Sequence, residues 1–337
     1  MVNAMDMDTR IGQLVMAPLY AGNDPASLAS LIADRHVGSV LIIGKWTGGV
    51  ASVRAAADQL QGYAPGDNRL IISTDQEGGW VQHLIGPGFD RMPTAVDQGT
   101  MSTDQLRQSA SVWGSQLAAA GINVDLAPVL GTVVANRAAN APIGALYRDF
   151  GLDAEGNAAQ GTAFVQGMAD AGVQSAIKHY PGLGAVTGNT DFTADGILDT
   201  TTTLDGTEIK AFDTTIDQAD PAMVMMALAT YQAIDPNDPA VFSSIIIDGH
   251  LRGDLGYDGV VISDSMSAAA VSAYDTTQLG VKLVEAGGDL ACIGYTNYVA
   301  PILDGLSTRA ASDPAFANEV TQSAIRVMTL KIKMGLA

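Results

Sequence analysis

The sequence predicts a (β/α)₈ barrel, and three observations carry that reading. Eight short, almost continuous apolar runs recur along 337 residues, each rich in Val, Ile, Leu or Met. Segments of helical length and amphipathic pattern separate them. No stretch rich in Pro, Gly or Ser divides the chain, so residues 1–337 read as one domain. Strands buried on both faces lose the in–out alternation of a half-exposed sheet, and strand–helix alternation repeated eight times closes a parallel barrel. A doubly wound open sheet is the alternative, but its glycine-rich phosphate fingerprint is missing.

The eight runs cover residues 13–17, 39–43, 70–74, 124–128, 175–178, 223–228, 260–263 and 289–294. Helical patterns fall at 24–34, 50–63, 103–120, 154–171, 204–218 and 276–286, with a last helix over 313–334. Ser102-Thr103-Asp104 offers an N-cap and Gly121 a stop. Long non-periodic stretches follow the third, fourth and fifth runs, at 76–99, 131–152 and 181–203. Loops of that length in a compact domain usually carry function, and in a barrel they gather at the C-terminal mouth.

Composition narrows the function. Apolar residues make up 47% of the chain and charged residues 16%, enough to bury a large core. A net charge of −19 disfavours nucleic acid and anionic membranes as partners. No apolar run is long enough to span a bilayer. The single cysteine, Cys292, reads as core, and no His and carboxylate spacing suggests a metal site. Neither a metal nor a cofactor is called for. Residues 1–10 lack the pattern of a signal peptide; the abrupt start leans toward an exported protein whose leader has been removed, with the cytoplasm as alternative. A monomer is the favoured state.

Polar residues at the ends of apolar runs point to a site. Asp75 follows the third run, Asp125 lies within the fourth, Lys178-His179 closes the fifth, and Asp264 ends the seventh. A lone carboxylate at a barrel mouth is costly unless it is paired or functional. Asp125 reads as a buried carboxylate bonded to backbone, and Glu77 as a tie for its loop. His36 reads as structural and His250 as surface. Met226 is placed toward the mouth, and Tyr274 and Tyr295 are left as open candidates for the pocket wall.

The motifs resemble glycoside hydrolase family 3, in its single-domain bacterial β-N-acetylglucosaminidase branch. They run in order from Arg10-Ile11-Gly12-Gln13-Leu14-Val15-Met16, resembling an opening strand, through Ser73-Thr74-Asp75-Gln76-Glu77-Gly78-Gly79 and Asp125-Leu126-Ala127-Pro128. Arg148-Asp149-Phe150-Gly151, Lys178-His179-Tyr180-Pro181-Gly182 and the stretch from Leu251 to Asp264 complete the series. The resemblance implies a retaining exo-acting hydrolase of terminal β-linked amino sugars, with trimming of cell-wall fragments as one setting. It implies Asp264 as nucleophile, kept ionised by nearby cations, and Asp75, Arg148, Lys178 and His179 as ligands of the sugar hydroxyls.

The sequence departs from that branch where the acid/base should stand. The branch carries Asp-Ser-His after the fifth strand; here the stretch reads Asn189-Thr190-Asp191. Asp191 is then the candidate acid/base, with Asn189 orienting it; Asp195 and a sugar-binding chain with little turnover are the alternatives. Trp80 and His83 stand where the branch has Arg, and Leu183 where it has His. Trp80 is a candidate stacking platform, and specificity for another β-linked sugar stays open. β-Glucosidases of the family take their acid/base Glu from a second domain, for which this chain has no room. An anionic Asp191 predicts hydrolysis rather than phosphorolysis.

Overall fold

The computed structural model describes residues 2–134 and 136–337. Eight strands form the barrel sheet: β1 (Val15–Tyr20), β2 (Ser39–Ile43), β3 (Ile71–Thr74), β4 (Val124–Asp125), β5 (Gln174–Tyr180), β6 (Met223–Met226), β7 (Val260–Ser263) and β8 (Ala291–Cys292). The pairings among these eight are all parallel and run in the order β7-β6-β5-β4-β3-β2-β1-β8. A parallel bridge between Ile262 and Leu290 joins the two ends, so the sheet closes on itself. The chain is a (β/α)₈ barrel.

The apolar runs are continuous because both strand faces are buried. Met16, Leu41, Ile71, Val124, Ala176, Met223, Val260 and Cys292 fill the barrel interior. Their neighbours Val15, Val40, Ile72, Ile177, Val224 and Val261 pack outward under the helices. The helix Pro314–Lys333 closes the bottom: Val327 and Leu330 join the interior cluster, and the buried Lys331 donates to Gln13 Oε1 at 2.7 Å and Asn68 Oδ1 at 2.9 Å.

Helices lie close to their expected places. Gly49–Gln61, Thr103–Ala119, Ala154–Asp170 and Thr276–Glu285 all follow the amphipathic patterns, and Ser102 caps its helix in a capping box with Gln105. Three assignments change and two further helices appear. Gln13 belongs to a helix, Met7–Gln13, so the first strand starts at Val15 and the opening motif is half helical. The pattern at 24–34 splits into a 3₁₀ turn, Pro25–Leu28, and a short helix, Ala29–Ala33. The helix before β6 begins only at Lys210, after turns in which Asp199 accepts from the backbone of Thr201 and Thr202. Ile245–Asp254, before β7, winds as a π-helix, and Val299–Ser312 is a full helix that the patterning did not separate.

Candidate active site

At the C-terminal mouth a cavity of about 320 Å³ is lined by Asp75, Arg148, Lys178, His179, Asp191 and Asp264 among others. These six residues, distant in sequence, are the candidates drawn from strand ends and motifs. The barrel geometry explains their meeting. Asp75 follows β3, Lys178 and His179 end β5, and Asp264 follows β7, so each side chain projects at the same rim.

A buried carboxylate organises the floor. Glu77 receives both arms of the Arg148 guanidinium, at 2.8 and 2.9 Å, and lies 2.7 Å from Lys178 Nζ. Lys178 also donates to Asp75 Oδ1 at 2.5 Å. Burial alone would push Glu77 up, but Arg148 and Lys178 outweigh it and hold the carboxyl well below the usual range. Burial would likewise weaken both cations, yet Glu77 and Asp75 keep Lys178 and Arg148 firmly charged. Arg148 is further held by the Pro142 carbonyl at 2.7 Å, and its neighbour Asp149 is gripped by Arg137 at 2.6 and 2.7 Å. Glu77 therefore ties its loop, as expected, and aims Arg148 as well.

Asp264 is mostly buried, and its Oδ1 accepts from the Ser265 N–H at 2.8 Å. Its carboxyl is pushed up to about 7, first by burial and then by the charge of Asp191. This corrects the expectation that Lys178 and Arg148 hold Asp264 ionised: both favour the anion, but their charge is largely committed to Glu77 and Asp75. Asp191 keeps solvent access at the mouth, yet the packed rim desolvates its carboxyl and it too is raised, with Asp75 adding to the effect. Asp264 and Asp191 are thus both harder to ionise, through burial first and a neighbouring carboxylate second.

His179 Nε2 lies 4.0 Å from Asp264 Oδ2. Burial, then Arg148 and Lys178, push its pKa well down, so the ring is neutral. His83, where Arg was expected by resemblance, stands 3.8 Å from Asp75 and is also pushed down by burial. Asp125 does not line the cavity. It is fully buried, accepts from the Gln76 N–H at 3.0 Å, and burial pushes it up to about 8.

The loop carrying Asp191 is tightly held. Asn140 Nδ2 donates to the carbonyls of Leu183 and Val186, both at 2.7 Å. Gly184 approaches Thr132 so closely that a β-carbon there would stand 1.7 Å from its carbonyl oxygen. Asn189 does not orient the Asp191 carboxyl; its Oδ1 accepts from the Asp191 backbone N–H at 3.0 Å and shapes the turn.

Several expectations do not reach the cavity. Trp80 is 76% exposed on the hairpin tip between Gly78 and Val81, outside the lining. Asp195 is exposed and also outside it. Met225, not Met226, faces the mouth, because the β6 register turns Met226 outward. Tyr274 packs on Phe242 at 5.0 Å, and Tyr295 is exposed outside the lining. His250 is buried rather than on the surface, stacked on Tyr180 at 6.5 Å. Leu183 and Cys292 line the cavity, and so does Phe192, which no sequence signal singled out. Among the described residues no cluster of His, Cys, Asp and Glu could hold a metal, and no helix is long and apolar enough to cross a membrane.

A closed parallel barrel with acid side chains and a braced cationic floor gathered at its mouth defines the class, a (β/α)₈ hydrolase. The family model for the glycosyl hydrolase family 3 N terminal domain matches residues 6–330. The β-hexosaminidase LpqI of Mycobacterium tuberculosis is 31% identical over 319 residues, covering 91% of this chain and 79% of that protein. The structure of a β-N-acetylhexosaminidase from Beutenbergia cavernae superposes with a TM-score of 0.94 at 41% identity, over 97% of this chain and 98% of the other. A family 3 β-N-acetylglucosaminidase from Paenibacillus superposes with a TM-score of 0.86 at 30% identity, over 99% of this chain and 63% of the other. The chain belongs to glycoside hydrolase family 3.

Proposed function

We infer that the protein is a retaining exo-β-N-acetylhexosaminidase, with Asp264 as nucleophile and Asp191 as acid/base, both supplied by this one barrel. The observation that carries the reading is that Asp264 and Asp191 line one cavity, near enough for the charge of Asp191 to raise Asp264. A retaining glycosidase needs one ionised carboxylate to attack the anomeric carbon and one protonated carboxyl to protonate the leaving oxygen. Burial favours the proton on Asp191, the group that must give it up. Asp264 suits the nucleophile because the Ser265 N–H supports its anion and it lies on the floor beside His179. Asp191 suits the acid/base because it stands at the mouth, where the leaving group departs and water enters.

Asp75, Arg148, Lys178 and His179 hold the terminal sugar. Asp75 accepts from hydroxyls, while neutral His179 and the N–H groups of Arg148 and Lys178 not engaged by Glu77 donate to them. A small cavity closed at its floor takes one ring, which supports exo action. In the first step Asp264 bonds to the anomeric carbon as Asp191 gives its proton to the leaving oxygen. In the second, Asp191 takes a proton from water, which displaces Asp264. The relatives' names support an N-acetylated amino sugar as the ring. The surrounding partner is thus a glycan or glycan fragment with a terminal β-linked amino sugar.

The test is an assay of nitrophenyl β-glycosides of N-acetylglucosamine, glucose and other sugars. The expected result is preference for N-acetylglucosaminide, loss of turnover in Asp264→Asn, and in Asp191→Ala a stalled second step that azide restores. No turnover of any glycoside by the wild type, or unchanged kinetics in Asp191→Ala, overturns the reading.

A further inference from the structure

Asp191 and Phe192 are consecutive, and the turn that presents them is braced from two sides. Within the turn, the Asn189 carbonyl accepts from the N–H of Phe192 and of Thr193, both at 3.0 Å. From outside it, Ala269 and Ala270 donate backbone N–H to the carbonyls of Asp191 and Thr190, at 3.2 and 3.0 Å. The turn is thereby fixed to the segment that follows Asp264.

Both side chains line the cavity. Phe192 is 83% exposed, more than any other large apolar side chain among the described residues. A lone exposed apolar residue on an outer surface needs no explanation. Phe192 is not in that position: it forms part of a concave wall whose floor is polar and charged.

The chemistry fixes what passes in front of it. The glycosidic oxygen must come within hydrogen-bond reach of Asp191, and Asp264 must face the anomeric carbon from the other side. The glycone then fills the polar floor. The leaving group, bonded to the same oxygen, extends outward past Asp191 and meets the adjacent ring of Phe192. A pyranose offers a flat C–H face, and such apolar surface gains by covering an exposed aromatic. We propose that Phe192 is the platform for the first leaving-group ring and so determines which aglycones are accepted, the ligand being a second pyranose joined through the scissile β-linkage. The proposal rests on the assignment of Asp191 and Asp264 given above.

The test compares two substrates with the same glycone and leaving groups of similar basicity: the β-1,4-linked disaccharide of N-acetylglucosamine and its methyl β-glycoside. The readout is the ratio of kcat/KM for disaccharide over methyl glycoside. Phe192→Ala should lower that ratio about fivefold, the size of one aromatic contact, and Phe192→Tyr should restore it. An unchanged ratio in Phe192→Ala overturns the proposal. The dissociation constants of both glycosides, measured by calorimetry on Asp264→Asn with and without Phe192→Ala, separate this from the catalytic assignment. If the wild type turns over neither substrate, that assignment fails, while a fallen affinity ratio still supports the platform and an unchanged one removes it. Absence of binding by both glycosides overturns both.

Discussion

Glu77 Oε1 lies 2.7 Å from Lys178 Nζ, and both side chains are almost wholly removed from solvent. Removing one partner of such a pair leaves an uncompensated buried charge, which costs about 3–5 kcal/mol. Glu77→Gln should therefore destabilise the fold by that order at neutral pH and also weaken catalysis, since Arg148 loses its fork. Glu77 is held well below its ordinary range, so its contribution is present above the unfolded carboxyl's pKa of about 4.3 and lost as pH falls through the folded value. Denaturant unfolding of wild type and variant at pH 7 and pH 3 checks this: the gap should narrow at the lower pH.

The coupling of Asp264 to Asp191 predicts a movable acid limb. Asp264 is pushed up to about 7 by burial and then by Asp191, so deleting the Asp191 charge must lower it. In Asp191→Ala, the pH dependence of kcat/KM for a dinitrophenyl glycoside, whose leaving group needs no acid, should keep its ascending limb but at lower pH. A limb that stays in place would show the two carboxyls to be uncoupled.

Much of the fold was legible because a doubly buried strand writes itself as an apolar run, and eight such runs need a closed sheet. The helix Met7–Gln13 escaped because its inward residues Ile11, Gly12 and Gln13 run without a break into β1. Val299–Ser312 carries Pro301 and Gly305, residues that weaken a helical pattern, yet Pro301 sits in the first turn and Gly305 makes room for the Thr277 carbonyl. Strand ends announced Asp75, Lys178, His179 and Asp264, since a polar residue closing a buried run has few other places to point. Loop residues were harder. Glu77 and Trp80 lie three positions apart, and only the fold turns one into the floor and the other into solvent. Phe192 left no signal, because an aromatic in a loop looks the same whether it packs or stands free.

Asp125 offers a stability test separate from catalysis. Its carboxyl is raised to about 8 by burial, so the native state holds a proton that the unfolded chain releases near pH 4. The stability this contributes is full below about pH 4 and is lost as pH rises through 8. Asp125→Asn keeps an oxygen for the Gln76 N–H and does not titrate. Its melting temperature relative to wild type should rise between pH 5 and pH 9. A constant difference across that range would mean that Asp125 is already ionised.

Water rather than phosphate should complete the second step. Arg148 is forked onto Glu77, and Lys178 is shared between Asp75 and Glu77, so the cationic charge of the floor is already matched. In the glycosyl-enzyme Asp264 is an ester and carries no charge, so the remaining charge near the anomeric carbon is that of Asp191, an anion once its proton has gone to the leaving group. A phosphate dianion entering there meets repulsion, whereas water meets a general base. Millimolar phosphate should leave the hydrolysis rate unchanged, and the product should be free sugar. Asp191→His, which replaces the anion by a ring that can carry positive charge, should make turnover sensitive to phosphate. Chromatography of products from wild type and variant at matched ionic strength distinguishes the outcomes. Sugar 1-phosphate released by the wild type would mean that Asp191 does not exclude an anion from the second step.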